Sequence, residues 1–200
     1  MPYCIAEKYK LQGYPVGKQL FTEQHIPKGV YYIHSGKVKM AVQGKHIVQL
    51  AGEGDWVGLD YLFSDLPYKQ SAVVIEEARV SFLPLEDLKE ELGNSLELLK
   101  ILFQNINRRM EEVQEWGTLL VQQKTEIRVA NILLLIKEKF GCDERNYLNI
   151  NLTPKTLAFL ASTTRTTVYR ILSRLKRADV IRTDGNKMAI LKQEVLENMH

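Results

Sequence analysis

Cysteine is nearly absent from this 200-residue chain: Cys4 and Cys142 lie far apart, and neither belongs to a CxxC pair. Two such residues exclude a disulfide framework and speak against a structural zinc site, which draws on a cluster of about four ligands. No run reaches the roughly 18 apolar residues that a membrane-crossing helix needs. The opening MPYCIAEKYK lacks the apolar core and small-residue cleavage site of a secretory signal. A cytoplasmic protein is expected. No Ser-His-Asp, Cys-His or paired-carboxylate arrangement stands out, and His25, His34 and His46 lack the clustered His-x-His and glutamate set of a metal-dependent cupin. The chain is therefore not expected to be an enzyme. Its 45% hydrophobic and 26% charged residues are ordinary for a globular protein, and the length allows two small domains with separate cores.

What the chain does have is an uneven charge. Residues 1–124 hold 14 Lys/Arg against 16 Asp/Glu, whereas residues 125–200 hold 13 against 8, giving −2 and +5. That partition points to nucleic acid bound at one end only. Within the basic end, LTPKTLAFLASTTRTTVYRILSRLK carries two short helical patterns. Thr153 followed by Pro154 is a helix start, because the threonine oxygen accepts from a free amide and proline gives up only an unpartnered one. Leu157, Leu160 and Ala161 form an inner face, and Ser162, Thr163 and Thr164 supply the turn. A second helix begins at about Thr164. Its stripe of Val168, Ile171, Leu172 and Leu175 faces inward, while Arg165, Thr166, Tyr169, Arg170, Arg174 and Arg177 lie on or beside the other side. Between Pro154 and Arg182 seven basic residues face a single acid, Asp179, so this surface suits DNA. Two apolar runs around Thr183-Asp184-Gly185-Asn186 then make a hairpin, completing a winged helix-turn-helix.

The segment ASTTRTTVYRILSRLKRADVIRTDG resembles the DNA-binding end of the catabolite-activator (CRP/FNR) family of bacterial transcription regulators. The resemblance implies base reading by Arg165, Thr166 and Arg170. Arginine suits bidentate bonding to guanine. Thr166 replaces a glutamate common in the family, so the half-site should differ from the TGTGA type. Thr153, Lys155, Thr164 and Thr167 suit phosphate contacts, which position without specifying, and Arg174 lies on the same surface.

Upstream, Lys18 to Leu83 alternates in short runs punctuated by Gly29, Gly36, Gly44, Gly52, Gly54 and Gly58. Val30–Ile33, Val38–Val42 and Ile47–Leu50 favour strands, giving a small antiparallel barrel or jelly roll. YYIHSGKVKMAV and GDWVGLDYLF resemble the family's cyclic-nucleotide-binding-like sensor domain. The effector pocket implied by that match comprises Gly58, Leu59, Asp60, Lys69, Gln70, Ser71, Val113 and Gln114. Members that hold cAMP place a glutamate where Leu59 stands, an arginine where Gln70 stands, and a threonine-serine pair where Val113 and Gln114 stand. Lysine at 69 does not reproduce a bidentate guanidinium grip. A regulator unresponsive to cAMP is expected, its effector unknown. Iron-sulfur members need about four cysteine ligands, so a cluster is excluded. Haem is not expected either, since a lone histidine is more often a surface or hydrogen-bonded residue than a ligand.

From about Leu96 the period becomes 3.5: Leu99, Phe103, Ile106, Met110, Val113, Gly117 and Leu120 form a heptad seam. A helix of about 28 residues would span roughly 42 Å. The seam favours a parallel homodimer, and the family uses its central helix for this. The polar run Gln122 to Glu126 reads as a hinge, followed by a docking helix with Arg128, Val129, Ile132, Leu133, Leu135 and Ile136, then a loop from Gly141 to Asn151. The resemblance implies RNA polymerase as a further partner through surfaces near that loop. The expected architecture is α+β: residues 1–94 form the sensing domain, 95–124 the dimerisation helix and hinge, and 125–200 the winged helix-turn-helix. The rival is a small-molecule-binding β-barrel whose C-terminal helices mediate protein contacts.

Overall fold

The computed structural model describes residues 5–43, 46–64, 66–121 and 124–199. Cys4, Gly44 and the centre of the expected hinge at 122–123 lie outside them, as does the side chain of His46. In the first half of the chain, β1 (Leu11–Tyr14), β2 (Gln19–Phe21), β3 (Gly29–Val42), β4 (His46–Ala51), β5 (Trp56–Val57) and β6 (Ser71–Pro84) build one antiparallel sheet. The fourteen-residue β3 and β6 pair along their length and form its spine. Strands β1 and β2 join β6, and β4 and β5 join β3.

The two runs Val30–Ile33 and Val38–Val42, read from the sequence as separate, are one bent strand. The β3–β6 register shifts between Ile33 and Val38, and Gly36 sits within that bulge at φ 88°. A Cβ there would lie 2.3 Å from the Glu77 carbonyl oxygen and 2.5 Å from Ala78 Cα. Glycine thus bends the strand without ending its pairing.

The bend gives the sheet two cores. Phe21, Ile33, Val38, Met40, Tyr61, Tyr68, Val74 and Val80 fill the first. The second, at the other end of the spine, joins Val30, Trp56, Leu59, Leu62 and Leu83 to Leu88 of α1 (Leu85–Asn94) and to Leu98 and Leu102 of α2 (Leu96–Leu120). Ser95 Oγ accepts from the Leu98 amide at 3.1 Å and so caps α2. The helix has 25 residues, slightly short of the expected length, and spans about 37 Å at the standard rise. The chain divides into two compact units after Val113, within α2. Burial of Leu98 and Leu102 explains why the first turns of α2 group with the sheet.

The second unit contains α3 (Thr125–Phe140), α4 (Pro154–Leu160), α5 (Arg165–Arg177), β7 (Ile181–Asp184), β8 (Lys187–Ile190) and α6 (Gln193–Glu197). Helix α3 buries Val129, Ala130, Ile132, Leu133 and Ile136, leaving Leu135 half-buried. In the hairpin, Asp184 pairs with Lys187, so the loop is only Gly185-Asn186. Gly185 has φ 55°, the positive angle required at the first central position of a type II′ turn. The expected loop 141–151 instead lies along the wing: Leu148 N donates to Met188 O (2.8 Å) and Leu152 N to Asn186 O (2.9 Å). Leu148, Ile150 and Leu152 are buried, a two-residue alternation visible in NYLNINL. Among the described residues no helix is long and apolar enough to cross a membrane.

Gly36→Ala is expected to destabilise the protein by about 2–4 kcal/mol, combining a left-handed backbone with a backbone clash. Urea unfolding followed by circular dichroism measures this; an unchanged midpoint would contradict the assignment of the bend to Gly36.

Candidate nucleic-acid interface and effector segment

The ends of α4 and α5 are closed in the same way. Thr153 Oγ1 accepts from Thr156 N at 3.0 Å, and Thr164 Oγ1 accepts from Thr167 N at 3.2 Å. Both are side-chain N-caps, and Pro154 occupies the first position of α4. At the other ends, Ser162 (φ 47°) and Asp179 (φ 51°) adopt the left-handed conformation. Thr163 N reaches back to Ala158 O and Val180 N to Leu175 O, both at 2.9 Å. These are Schellman closures, the second sealed by the buried pair Leu175 and Val180. Arg128 Nε donates to Ala161 O at 3.1 Å, so the turn between the helices is tied to α3. Arg128 was expected on an apolar docking face. It instead supplies a cation to the C-terminal end of α4, where the helix dipole is negative.

This scaffold buries Val168, Ile171, Leu172 and Leu175 and exposes Arg165, Thr166, Tyr169, Arg170 and Arg177. Two of the expected DNA-contacting cations have intramolecular partners. Arg174 forms an ion pair with Glu126 of α3, and the Lys155 ammonium lies 5.7 Å from the centre of the Phe159 ring. The threonines are also partnered: Thr153 and Thr156 hydroxyls are 2.9 Å apart, as are those of Thr164 and Thr167. Each pair consumes one hydroxyl hydrogen and leaves the other to donate outward.

In the first unit, the two sheet segments of the implied effector pocket lie against each other, with the Tyr61 and Tyr68 rings 4.9 Å apart. Gly58 (φ 89°) turns the chain into a short 3-10 helix, Leu59–Tyr61. Leu59 is buried in the second core, and Gln70 and Ser71 are buried at the start of β6. Ser71 Oγ accepts from Glu23 N at 3.0 Å. Lys69 is exposed while its amide donates to Tyr61 Oη at 2.8 Å. Tyr68 stacks on Phe21 at 3.8 Å between ring centres and donates to Gly29 O at 3.1 Å. Burial pushes the Tyr68 phenol well above its ordinary range, and that of Tyr31 up to about 12. Val113 and Gln114 are exposed on α2.

Asp60 turns instead toward α2. Arg109 Nη1 sits 2.5 Å from Asp60 Oδ1, an ionic contact without hydrogen-bond alignment. Burial pushes the Asp60 carboxyl above the usual carboxylate range, and the Arg109 guanidinium draws it partway back. The neighbouring Arg108 Nη2 bonds Asp55 Oδ1 at 2.7 Å, and Asp55 Oδ2 accepts from Gly52 N at 2.8 Å. These two pairs line a shallow, solvent-open cleft together with Trp56, Asn105 and the buried Oε1 of Gln49, which has no hydrogen-bond partner among the described residues.

The cyclic nucleotide-binding domain family matches residues 11–95, and the Crp-like helix-turn-helix domain family matches residues 127–199. The chain belongs to the CRP/FNR family. It is a DNA-binding transcriptional regulator of that family, so the rival reading of its C-terminal helices as protein-contact elements is set aside. A relative described as a CRP-like cAMP-activated global transcriptional regulator, from Mycobacterium tuberculosis, is 28% identical over 199 residues, covering 96% of this chain and 89% of its own. A cyclic AMP receptor protein from Thermus thermophilus is 27% identical over 191 residues, covering 93% and 86%. Among solved structures, FixK2 from Bradyrhizobium japonicum superposes with a TM-score of 0.83 at 18% identity, covering 95% of this chain and 96% of that one; the likeness concerns the fold.

Sequence reasoning missed Arg128, Glu126, Arg108 and Arg109 as structural participants in a CRP/FNR frame. The adjacent arginines in NINRRMEE were a usable signal, since a cation pair beside a half-buried seam needs anionic partners. Arg128 left no such signal, because its acceptor is a backbone carbonyl 33 residues away.

At Ser162 a β-branched side chain is disfavoured by the left-handed backbone. Ser162→Val is expected to cost about 1–2 kcal/mol, while Ser162→Gly is tolerated. Thermal unfolding of the three proteins checks the order; equal stability of the valine and glycine variants would contradict it.

Proposed function

We propose that the chain acts as a homodimer that recognises a near-palindromic DNA site without requiring cAMP. The observation that carries the DNA half of this reading is the capped α5, which presents Arg165, Thr166 and Arg170 on one exposed face. Recognition helices from two copies would enter successive major grooves about 34 Å apart. Arg165 and Arg170 then read guanine, while Lys155 and the spare hydroxyl hydrogens of the threonine pairs bind phosphate. Arg174 contributes a phosphate contact only by leaving Glu126.

Dimerisation is supported by the seam of α2. Phe103, Met110 and Val113 are 57%, 57% and 54% exposed, and Leu120 is exposed as well. Apolar residues repeated every three to four positions and left open to water call for a second copy of the same helix. Leu99 and Ile106 of the seam are half-buried, Ile106 against the second core of its own chain.

Independence from cAMP is supported by Leu59 and Gln70, which cannot supply the carboxylate and guanidinium that a cyclic nucleotide needs. The named relatives respond to or receive cAMP, but the groups that would do so are replaced in this chain. Residues 1–94 serve as the sensing domain, 95–124 as dimer helix and hinge, and 125–200 as the DNA-binding domain. RNA polymerase is the further partner, and the cytoplasm is where such a regulator meets DNA.

Selection of binding sites from random duplex DNA tests this reading, followed by affinity measurements on the enriched site. The enriched site should be an inverted repeat, with affinity falling more than about a thousandfold between 50 and 200 mM salt. Arg170→Ala is expected to cost about 1–3 kcal/mol and to relax one base position. Phe103→Glu with Met110→Glu should reduce the sedimenting mass from twice 23.1 kDa to that of a single chain. Binding with neither sequence preference nor salt dependence would overturn the proposal.

A further inference from the structure

Tyr169 is 58% exposed, and it is the large apolar side chain that α4 and α5 leave in solvent among their described residues. It has no ring contact or hydrogen-bond partner among the described residues, so the fold makes no use of it. On the helix it follows Arg165 and Thr166 by one turn and adjoins Arg170, beside the buried stripe of Val168, Ile171 and Leu172. An exposed phenol among charged and hydroxyl side chains contributes nothing to the core. Its apolar surface is available to a partner.

In a major groove, a phenol offers two chemistries. Its ring provides an apolar surface for the 5-methyl group of thymine, which is the groove's apolar mark. Its hydroxyl can reach a phosphate, which positions without specifying. Placement decides between them. Tyr169 is the fifth residue of α5, about 6 Å along the axis from Arg165, within the N-terminal half that meets base edges. It stands among the residues assigned to base reading, not at the helix ends where the capping threonines lie. We propose that Tyr169 is a specificity-determining residue that selects thymine through its methyl group. This inference rests on the DNA-binding reading above.

The test uses the full-length protein and the site enriched from random DNA. Each thymine of one half-site is replaced in turn by deoxyuridine, which removes only the methyl group. Affinities are measured for the natural protein, Tyr169→Phe and Tyr169→Ala. One position is expected to show about a fourfold loss, the worth of one buried methyl group, with the natural protein and with Tyr169→Phe. Tyr169→Ala should bind thymine and uracil there equally. The inference is overturned if the enriched half-site contains no thymine, if no replacement matters, or if the alanine variant keeps the same ratio. A uniform loss on Tyr169→Phe without methyl discrimination would assign the hydroxyl to phosphate and overturn it too. Failure to enrich any sequence would instead reject the DNA-binding reading itself.

Discussion

The DNA-facing surface depends on how two short helices are closed at their ends. Seven residues in α4 and thirteen in α5 are marginal lengths for helices in isolation. Each free end exposes backbone groups that must find partners. Thr153 and Thr164 meet this need at the starts, and Ser162 and Asp179 meet it at the finishes by adopting left-handed conformations. The consequence is positional. Because Thr164 sets the first turn and the stripe from Val168 to Leu175 sets the rotation, Arg165, Thr166, Tyr169 and Arg170 are held on one exposed face before any DNA arrives. The bond from Arg128 to Ala161 O extends that control to α3.

In the sheet unit, two kinds of force hold α2, and their magnitudes separate their roles. Full burial of a leucine contributes about 1.5–3 kcal/mol, so Leu98 and Leu102 anchor the helix. Partly exposed ion pairs contribute about 1 kcal/mol or less, so Arg108–Asp55 and Arg109–Asp60 chiefly fix its rotation and register.

How much of this was legible in the sequence follows from which interactions are local. The helix-turn-helix was readable because its signals lie within a few residues of one another: Thr-Pro at a start, threonines at the turn, and a 3.6-residue stripe. The onset of α2 at Leu96 was equally plain from the change of period. Less legible was the continuity of β3 through Gly36, since a glycine that ends a strand and one that bends it look alike until the partner strand is known. The strand-like course of 148–152 carried a clear alternation but was masked by its polar neighbours. The rearranged neighbourhood of Asp60 was not legible at all. Its partner Arg109 is 49 positions away, and the family pattern directs attention to Lys69, Gln70 and Ser71 instead.

The central claim is that the protein is competent to bind its operator with no nucleotide present. Fluorescence anisotropy on the enriched operator, with the full-length protein titrated in the presence and absence of saturating cAMP, addresses it directly. The account predicts tight binding in both titrations with superimposable curves. An affinity that rises tenfold or more on adding cAMP would show that Leu59 and Gln70 do not disable the pocket, and would contradict the account.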